Sequence, residues 1–330
     1  MGVKIGINGF GRIGRGLMRV LQNYPEIEVV AINDIADKET LVHLLKYDSV
    51  HRGFPGDILS SNTGFSVNGK NIYVFNQPVA SKISWNALDV DIVIEASGLI
   101  KSKSKASEHL KPGVKKVIIS APAEDDIPMV VLGVNESILE NDTAVISNAS
   151  CTTNSAAPMI KVLNELCDVE NAYITTIHSY TTDQRIHDAP HKDLRRARAA
   201  ALSIVPTTTG AAKAVTRIFP ELNEKIGGCG IRVPVPDGSL TDITFNVKEK
   251  TTVEEVNNAF KRASEGALKG IVGYTNDPIV SSDIIGMSYS VLFDEQLTSV
   301  IGNMVKVVGW YDNEIGYSHR IADLILKISE

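Results

Sequence analysis

Short Val- and Ile-rich runs at residues 3–7, 28–33, 71–75, 91–96, 116–120, 129–134 and 144–147 punctuate the first half of the chain and predict strands. Between several of them the apolar positions take a helical period. Ile13, Leu17, Leu21 and Tyr24 share one face, at steps of four, four and three. Strands alternating with helices imply βαβ units, and so a doubly wound, mostly parallel α/β sheet. The second half changes period. Residues 172–182, 231–234, 240–248, 284–293 and 299–310 read as longer strands, and Ile243, Phe245 and Val247 alternate with polar neighbours, as in a sheet covered on one face. Helical patterns occupy 155–167, 210–218 and 253–266, and 317–329 reads as a terminal helix. This half is expected to be an α+β domain with a largely antiparallel sheet. No Pro/Gly/Ser-rich linker separates the halves, and the pattern changes near Ser150 and Cys151. The expected division is a domain of residues 1–150, completed by a C-terminal helix at about 315–330, and a catalytic domain of residues 151–314.

The length of 330 residues supports two domains at roughly 150 residues each. A hydrophobic content of 43% with 22% charged residues fits an ordinary globular protein, and a net charge of −6 argues against nucleic acid as the primary partner. No apolar run approaches the ~20 residues that span a bilayer, so no membrane association is expected. The N-terminus enters a strand pattern directly and does not resemble a signal peptide, and position 6 is Gly where a myristoylation pattern needs Ser or Thr. The three cysteines, Cys151, Cys167 and Cys229, are odd in number and form no CxxC cluster. Free thiols, a reducing cytoplasmic location and no metal site follow as expectations.

Gly9-Phe10-Gly11-Arg12-Ile13-Gly14 is a GxGxxG run placed between the first strand pattern and the first helix pattern. In that context the glycines allow a tight turn, a close approach to pyrophosphate and close helix packing, with phosphates at the helix N-terminus. Asp34 follows Gly14 by 20 residues, where an acidic group meets the adenine-ribose hydroxyls. A Rossmann-type dinucleotide site results. Asp34 would repel the extra phosphate of NADP, so NAD is the expected cofactor.

Cys151 lies in Ala149-Ser150-Cys151-Thr152-Thr153-Asn154, between a strand pattern and a helix pattern. A helix N-terminus favours the thiolate, which is the nucleophilic form. Such a nucleophile needs a base. Seven histidines are available and physical chemistry alone does not choose among them; His178, near a strand end, is the best candidate. Residues 183–198 are dense in Arg, His and Lys without period, and a structureless stretch of that length in a compact domain is commonly functional. Thr207-Thr208-Thr209-Gly210 then enters a helix pattern, as either a cap or an anion cradle.

Taken in order, Asn8 to Arg15, Ala149 to Asn154, His178-Ser179-Tyr180-Thr181, Asp193-Leu194-Arg195-Arg196 with Arg198, Pro206 to Lys213, Arg232-Val233-Pro234 and Trp310-Tyr311-Asp312-Asn313-Glu314 resemble the phosphorylating glyceraldehyde-3-phosphate dehydrogenases of bacterial type, nearly end to end. The resemblance implies a Cys151 thiolate that attacks an aldehyde to give a thiohemiacetal, then a thioester that inorganic phosphate converts to an acyl phosphate. His178 would be the base. The cofactor would be held by Gly9, Phe10, Gly11, Arg12, Ile13, Asp34, Ser97, Ser120, Asn313 and Tyr317. Thr181, Arg196 and Arg232 would hold the substrate phosphate, and Ser150, Thr152, Thr209 and Gly210 the attacking phosphate. The substrates would be glyceraldehyde 3-phosphate and inorganic phosphate. The basic segment resembles the loop that lines a neighbour's cofactor site, which implies a homotetramer.

Three positions depart from the family pattern. Ala96-Ser97-Gly98 replaces a Ser/Cys-Thr-Gly run, Ser155 replaces a second cysteine, and Ala189-Pro190 stands where NAD-specific members have Leu-Pro. The last allows some secondary use of NADP. Two other readings compete: a relative acting on another phosphorylated aldehyde, such as erythrose 4-phosphate, with water as acceptor, and a non-catalytic NAD-sensing or RNA-binding protein on the same fold.

Overall fold

Two eight-stranded sheets carry the molecule, one in each of the two units into which the computed structural model divides. Residues 2–140 and 143–329 are described. The first unit comprises Met1–Val130, Glu136–Ala149 and Ser318–Glu330, and the second Val131–Asn135 and Ser150–Tyr317.

The sheet of the first unit runs in the spatial order Val145–Ser147, Lys116–Ile119, Ile92–Glu95, Val3–Asn8, Ile27–Asn33, Lys70–Phe75, Gly64–Val67, Ile58–Ser60. Every neighbouring pair is parallel as far as Lys70–Phe75, and the last two pairings are antiparallel. Ile5, Ile7, Ile32, Val93, Ile94, Val117 and Ile118 are wholly buried, as a parallel sheet covered on both faces requires. The chain builds outward from Val3–Asn8 on one side and then returns to the other with Ile92–Glu95. The crevice at the carboxyl ends of those two strands is the topological switch point, where ligands bind in sheets of this type.

In the second unit the order is Val205–Thr207, Ile226–Val233, Val169–Ser179, Ser239–Val247, Met304–Tyr311, Val291–Asp294, Val272–Thr275, with Ser299–Ile301 also paired to Met304–Tyr311. Only two of its pairings are parallel, Val169–Ser179 with Ile226–Val233 and Val272–Thr275 with Val291–Asp294. Helices Cys151–Cys167 and Val253–Glu265 cover one face. Met159, Ile160, Leu163, Val256 and Phe260 pack there on Ile174, Ile243, Phe245 and Phe293, and the rings of Phe260 and Phe293 stack at 3.9 Å. A fully buried side chain of this size stabilises by about 1.5–3 kcal/mol, so this layer fixes the helix that begins at Cys151.

Several strands differ from the pattern-based expectation. Residues 129–134 form no strand. Met129 makes a single parallel bridge to Ser147, after which a turn closes through Val134 N–H to the Val131 carbonyl and Val131 N–H to Asn135 Oδ1. Their apolar character reflects burial alone. Of residues 284–293 only the last three join the sheet, in strand Val291–Asp294. Residues 299–310 break into a hairpin, because Gly302 takes a φ of 61° at the turn. The strand expected at 231–234 begins earlier, at Ile226, hidden by Gly227, Gly228 and Gly230; a Cβ at Gly228 would stand 2.7 Å from the Ile174 carbonyl. Among the described residues no helix is long and apolar enough to cross a membrane.

Candidate active site

The three glycines of the first loop are needed for different reasons. Gly9 has a φ of 92°, and a Cβ there would stand 2.5 Å from Ser97 Cα. A Cβ on Gly14 would run into the Gly9 carbonyl. A Cβ on Gly11 would meet nothing within 4 Å, so the fold does not demand glycine there. Gly11 is exposed and caps helix Arg12–Val20 without a side chain, leaving open ground at a helix N-terminus, as a pyrophosphate needs. The donor set therefore fits a dinucleotide.

Asp34 lies one residue past strand Ile27–Asn33 and accepts from Phe10 N–H at 2.7 Å and Ala36 N–H at 3.0 Å. Phe10 thus commits its N–H to Asp34, and its ring is wholly buried against Phe65, so Phe10 shapes the loop. Arg12 pairs with Asp48, and Ile13 is half-buried. Ser97 N–H and Oγ–H donate to Glu95, and Ser120 N–H donates to the Glu95 carbonyl.

In the second unit Cys151 is the first residue of helix Cys151–Cys167. Ser150 caps it, accepting from Thr153 N–H at 3.1 Å. Two residues earlier Ala149 holds a left-handed φ of 52°, a strained turn into the helix. Cys151 Sγ stands 3.5 Å from His178 Nε2. His178 Nδ1 lies 2.8 Å from the Ser179 carbonyl, which also accepts from Arg232 Nη1 at 2.9 Å, and Nη1 is 3.0 Å from Nδ1. The Ser179 carbonyl can only accept and Arg232 Nη1 can only donate, so Nδ1 has a partner in either tautomer; the tautomer with its proton on Nδ1, bonded to the carbonyl, leaves the Nε2 lone pair facing sulfur.

The electrostatics correct one expectation. Helix-start donors do favour the thiolate: the Thr152 N–H and hydroxyl and the Cys151 N–H all lower the thiol pKa, as does the Arg232 charge. Burial outweighs them and the thiol lies above its ordinary value. His178 is pushed down to about 3, first by burial, then by the charge of Arg232. Both shifts favour the uncharged forms, thiol and neutral imidazole.

Thr181 Oγ1 accepts weakly from Arg232 Nη1 at 3.4 Å. Arg196 is engaged on all sides, donating Nε–H to Thr207 and Nη2–H to the Thr208 carbonyl and pairing with Asp183. Gly210 caps helix Ala211–Ile218 with open space around the position of a Cβ, and Thr209 Oγ1 accepts from Ala211 N–H. Thr152 is buried with its hydroxyl 2.9 Å from that of Tyr311. Asn313 Oδ1 accepts from both Ser179 Oγ, at 2.9 Å, and Ser239 Oγ, at 2.7 Å, which turns its NH₂ away from them. Tyr317 is buried in helix Ile315–Lys327. Ser155 pairs with Thr241 at 2.9 Å, and Ala189 lies within the basic segment, its N–H on the Ala197 carbonyl. That segment is laced to itself by Arg185 with Arg196 and by Arg198 with Asp188.

In the sequence Tyr311, Ser179, Ser239 and Glu95 have no role of their own, although Ser179 lies in the His178 to Thr181 motif. Tyr311 sits within the Trp310 to Glu314 motif, so that motif was the signal that could have found it.

A nucleotide-binding parallel sheet joined in one chain to a domain with a thiol–imidazole pair has the make-up of an NAD-dependent oxidoreductase. Residues 3–103 match the glyceraldehyde 3-phosphate dehydrogenase NAD binding domain, and residues 150–313 match the C-terminal domain of the same enzyme. The chain is 55% identical to glyceraldehyde-3-phosphate dehydrogenase of Thermotoga maritima, over 98% of this chain and 99% of that one. It is 52% identical to the Geobacillus stearothermophilus enzyme, over 100% and 99%. To glyceraldehyde-3-phosphate dehydrogenase 1 of Bacillus subtilis it is 50% identical, over 100% and 99%. The chain belongs to the glyceraldehyde-3-phosphate dehydrogenase family; it is an oxidoreductase of the glycolytic type, and its cofactor is NAD.

Proposed function

We propose that the chain converts D-glyceraldehyde 3-phosphate and inorganic phosphate to 1,3-bisphosphoglycerate, with Cys151 as nucleophile and His178 as base. The observation that carries this reading is the 3.5 Å approach of Cys151 Sγ to His178 Nε2, with Arg232 and Thr181 beyond the imidazole. As sulfur attacks the aldehyde carbon, the thiol proton passes to Nε2 and returns to the new oxygen, giving a thiohemiacetal. NAD, when bound, supplies the acceptor for the hydride that leaves this carbon. His178 Nε2 takes the hydroxyl proton as that hydride departs, leaving a thioester. A phosphate oxygen then attacks the thioester carbon and loses its own proton to solvent, the C–S bond breaks, and the departing Cys151 thiolate takes back the proton held on His178 Nε2. The Cys151 N–H and the imidazolium steady the developing oxyanion.

Arg232, Arg196 and Thr181 hold the substrate phosphate, and Ser150, Thr152, Thr209 and Gly210 the attacking one. Arg196 must exchange its contacts with Thr207 and Asp183 to do so. Gly9, Gly11, Arg12 and Ile13 present the loop and helix start to the pyrophosphate, Phe10 holds Asp34 in place, and Asp34 meets the adenine ribose. Ser97, Ser120 and Tyr317 complete the cofactor set, with the Asn313 NH₂ donating to the nicotinamide carboxamide. Ala189 allows some use of NADP. The assembly is a cytoplasmic homotetramer. Support comes from Ile186, Leu194, Leu202 and Ile204, large apolar residues exposed in and just after the basic segment, whose burial a second copy of the chain would provide.

Following NADH absorbance with and without phosphate tests the reaction. Sustained turnover without phosphate would overturn the acyl-phosphate route, and turnover by Cys151→Ser would overturn the nucleophile. NADP in a parallel cuvette measures the secondary use, and sedimentation measures the tetramer.

A further inference from the structure

The first unit holds a polar chain of which the mechanism uses only Ser97. It crosses the carboxyl ends of three adjacent strands, on both sides of the switch point. Gln77 N–H donates to Asn33 Oδ1, and Asn33 Nδ2 donates to Asn8 Oδ1 at 2.7 Å. Asn8 Nδ2 donates to Glu95 Oε2 at 2.5 Å, and His109 Nε2 faces the same oxygen at 3.0 Å. Glu95 Oε1 takes both the N–H of Ser97, at 2.9 Å, and its hydroxyl, at 2.5 Å. Glu95 is 1% exposed, and Asn8 and Glu95 are register partners at the ends of their strands.

The protons in this chain have one consistent arrangement. Trp85 Nε1–H can only donate, and it points at His109 Nδ1 at 3.1 Å. Nδ1 therefore accepts, the ring proton lies on Nε2, and Nε2–H donates to Glu95. The Glu95 carboxylate then receives four donors and offers none. The Ser97 hydroxyl spends its proton on Glu95, so only its lone pairs remain for other partners, one of which takes Leu99 N–H at 3.2 Å. Gly9, which follows Asn8, packs against Ser97 so closely that no Cβ fits between them.

We propose that Glu95 is a positioning residue for the dinucleotide: its buried carboxylate ties Asn8, and so the Gly9–Gly14 loop, to the Ser97 turn, and presents the Ser97 hydroxyl to the cofactor purely as an acceptor. The ligand chemistry that fits is a sugar hydroxyl, which can donate to it. The inference rests on the reading of Gly9–Gly14 and Ser97 as cofactor residues.

Glu95→Gln tests it. A glutamine NH₂ must face either the Ser97 donors or those of Asn8 and His109, and Asn33 and Trp85 hold the latter two in orientation, so either choice sets donor against donor. NADH fluorescence titration of the full-length protein should show the dissociation constant raised ten-fold or more in the folded protein at 25 °C. Ser97→Ala, which removes one hydroxyl near the surface and should fold, should raise it about three- to ten-fold. The double variant should then lose much less than the product of the two. Trp85→Phe removes the far end of the chain and should lower the melting temperature while moving the NADH constant less than two-fold. An NADH constant within two-fold of the original in both Glu95→Gln and Ser97→Ala, with only melting affected, would make the network structural and overturn the proposal. Gly11→Val separates this from failure of the underlying reading. If it too leaves NADH binding intact, the cofactor assignment itself is wrong.

Discussion

Each unit buries a histidine that touches polar groups through both ring nitrogens, and the roles proposed for the two are opposite. His109 accepts from Trp85 on Nδ1 and donates from Nε2 to Glu95. Both nitrogens are closed by partners whose protons stay where they are. His178 has Nδ1 on the Ser179 carbonyl beside Arg232, while Nε2 faces Cys151 Sγ, whose proton can leave. The neighbouring charge also differs in sign: a carboxylate beside His109, a guanidinium beside His178. What the second nitrogen faces, more than burial or fold, separates a fixed strut from a base.

The largest expected effects test that contrast directly. His178→Asn keeps a polar group but no base, and kcat should fall roughly 10²–10⁴-fold. His109→Gln disturbs a strut, and kcat at saturating NAD should fall less than ten-fold, with a loss of stability of about 1–3 kcal/mol as Trp85 and Glu95 lose their partner. Equal kcat losses in steady-state assays would erase the distinction.

Proton equilibria sharpen it next. With the thiol above its ordinary value and His178 at about 3, alkylation of Cys151 by iodoacetamide should climb steadily with pH up to and beyond pH 9, the ordinary thiol value. A plateau already present between about pH 6 and 8 would mean a preformed thiolate–imidazolium pair. The Arg232 charge lowers both groups, so Arg232→Ala should raise both and slow alkylation several-fold at about pH 8. The same shift affects folding. His178 titrates at about 3 when folded and near 6.5 when unfolded, so as pH falls the unfolded chain takes up its proton first. The stability due to the neutral ring is complete above pH 6.5 and is lost as pH falls towards 3, at about 1.4 kcal/mol per pH unit. Urea unfolding from pH 4 to 7 should show this limb, flattened in His178→Asn.

Hydrophobic period and motif spacing made much of this legible before any coordinates. Alternation of strands and helices pointed to the parallel sheet, and GxGxxG to the NAD binding domain that residues 3–103 match. What stayed hidden has definite causes. Gly227, Gly228 and Gly230 mask half a strand because close backbone packing, rather than side-chain pattern, holds it in the sheet. Residues 129–134 look like a strand because burial and strand pairing both select Val and Leu. Local sequence cannot rank seven histidines, because Cys151 and Arg232 meet His178 only through the fold. The thiol's elevated pKa was missed because helix-end donors are visible in sequence and desolvation is not.

The smallest effect concerns what holds the imidazole. The Tyr311 ring stands edge-to-face on His178, with centroids 5.9 Å apart and planes at 78°, and its hydroxyl bridges those of Thr152 and Thr176 at 2.9 and 2.8 Å. Burial raises its pKa well above the ordinary phenol value, so the bridge stays protonated across the working range. In Tyr311→Phe the ring stays and the bridge goes. Each threonine hydroxyl can turn to another acceptor, so the loss should be about 1 kcal/mol in urea unfolding, with kcat down about two- to five-fold. Tyr311→Leu removes the ring as well, and kcat should fall further, because only the Nδ1 contacts with Ser179 and Arg232 then keep the imidazole on the Sγ line. His109 has a comparable ring contact with Trp85, but its two hydrogen bonds already fix its plane. If the Phe and Leu variants of Tyr311 have equal kcat, the ring contributes nothing to aim, and His178 is held as His109 is, by hydrogen bonds alone.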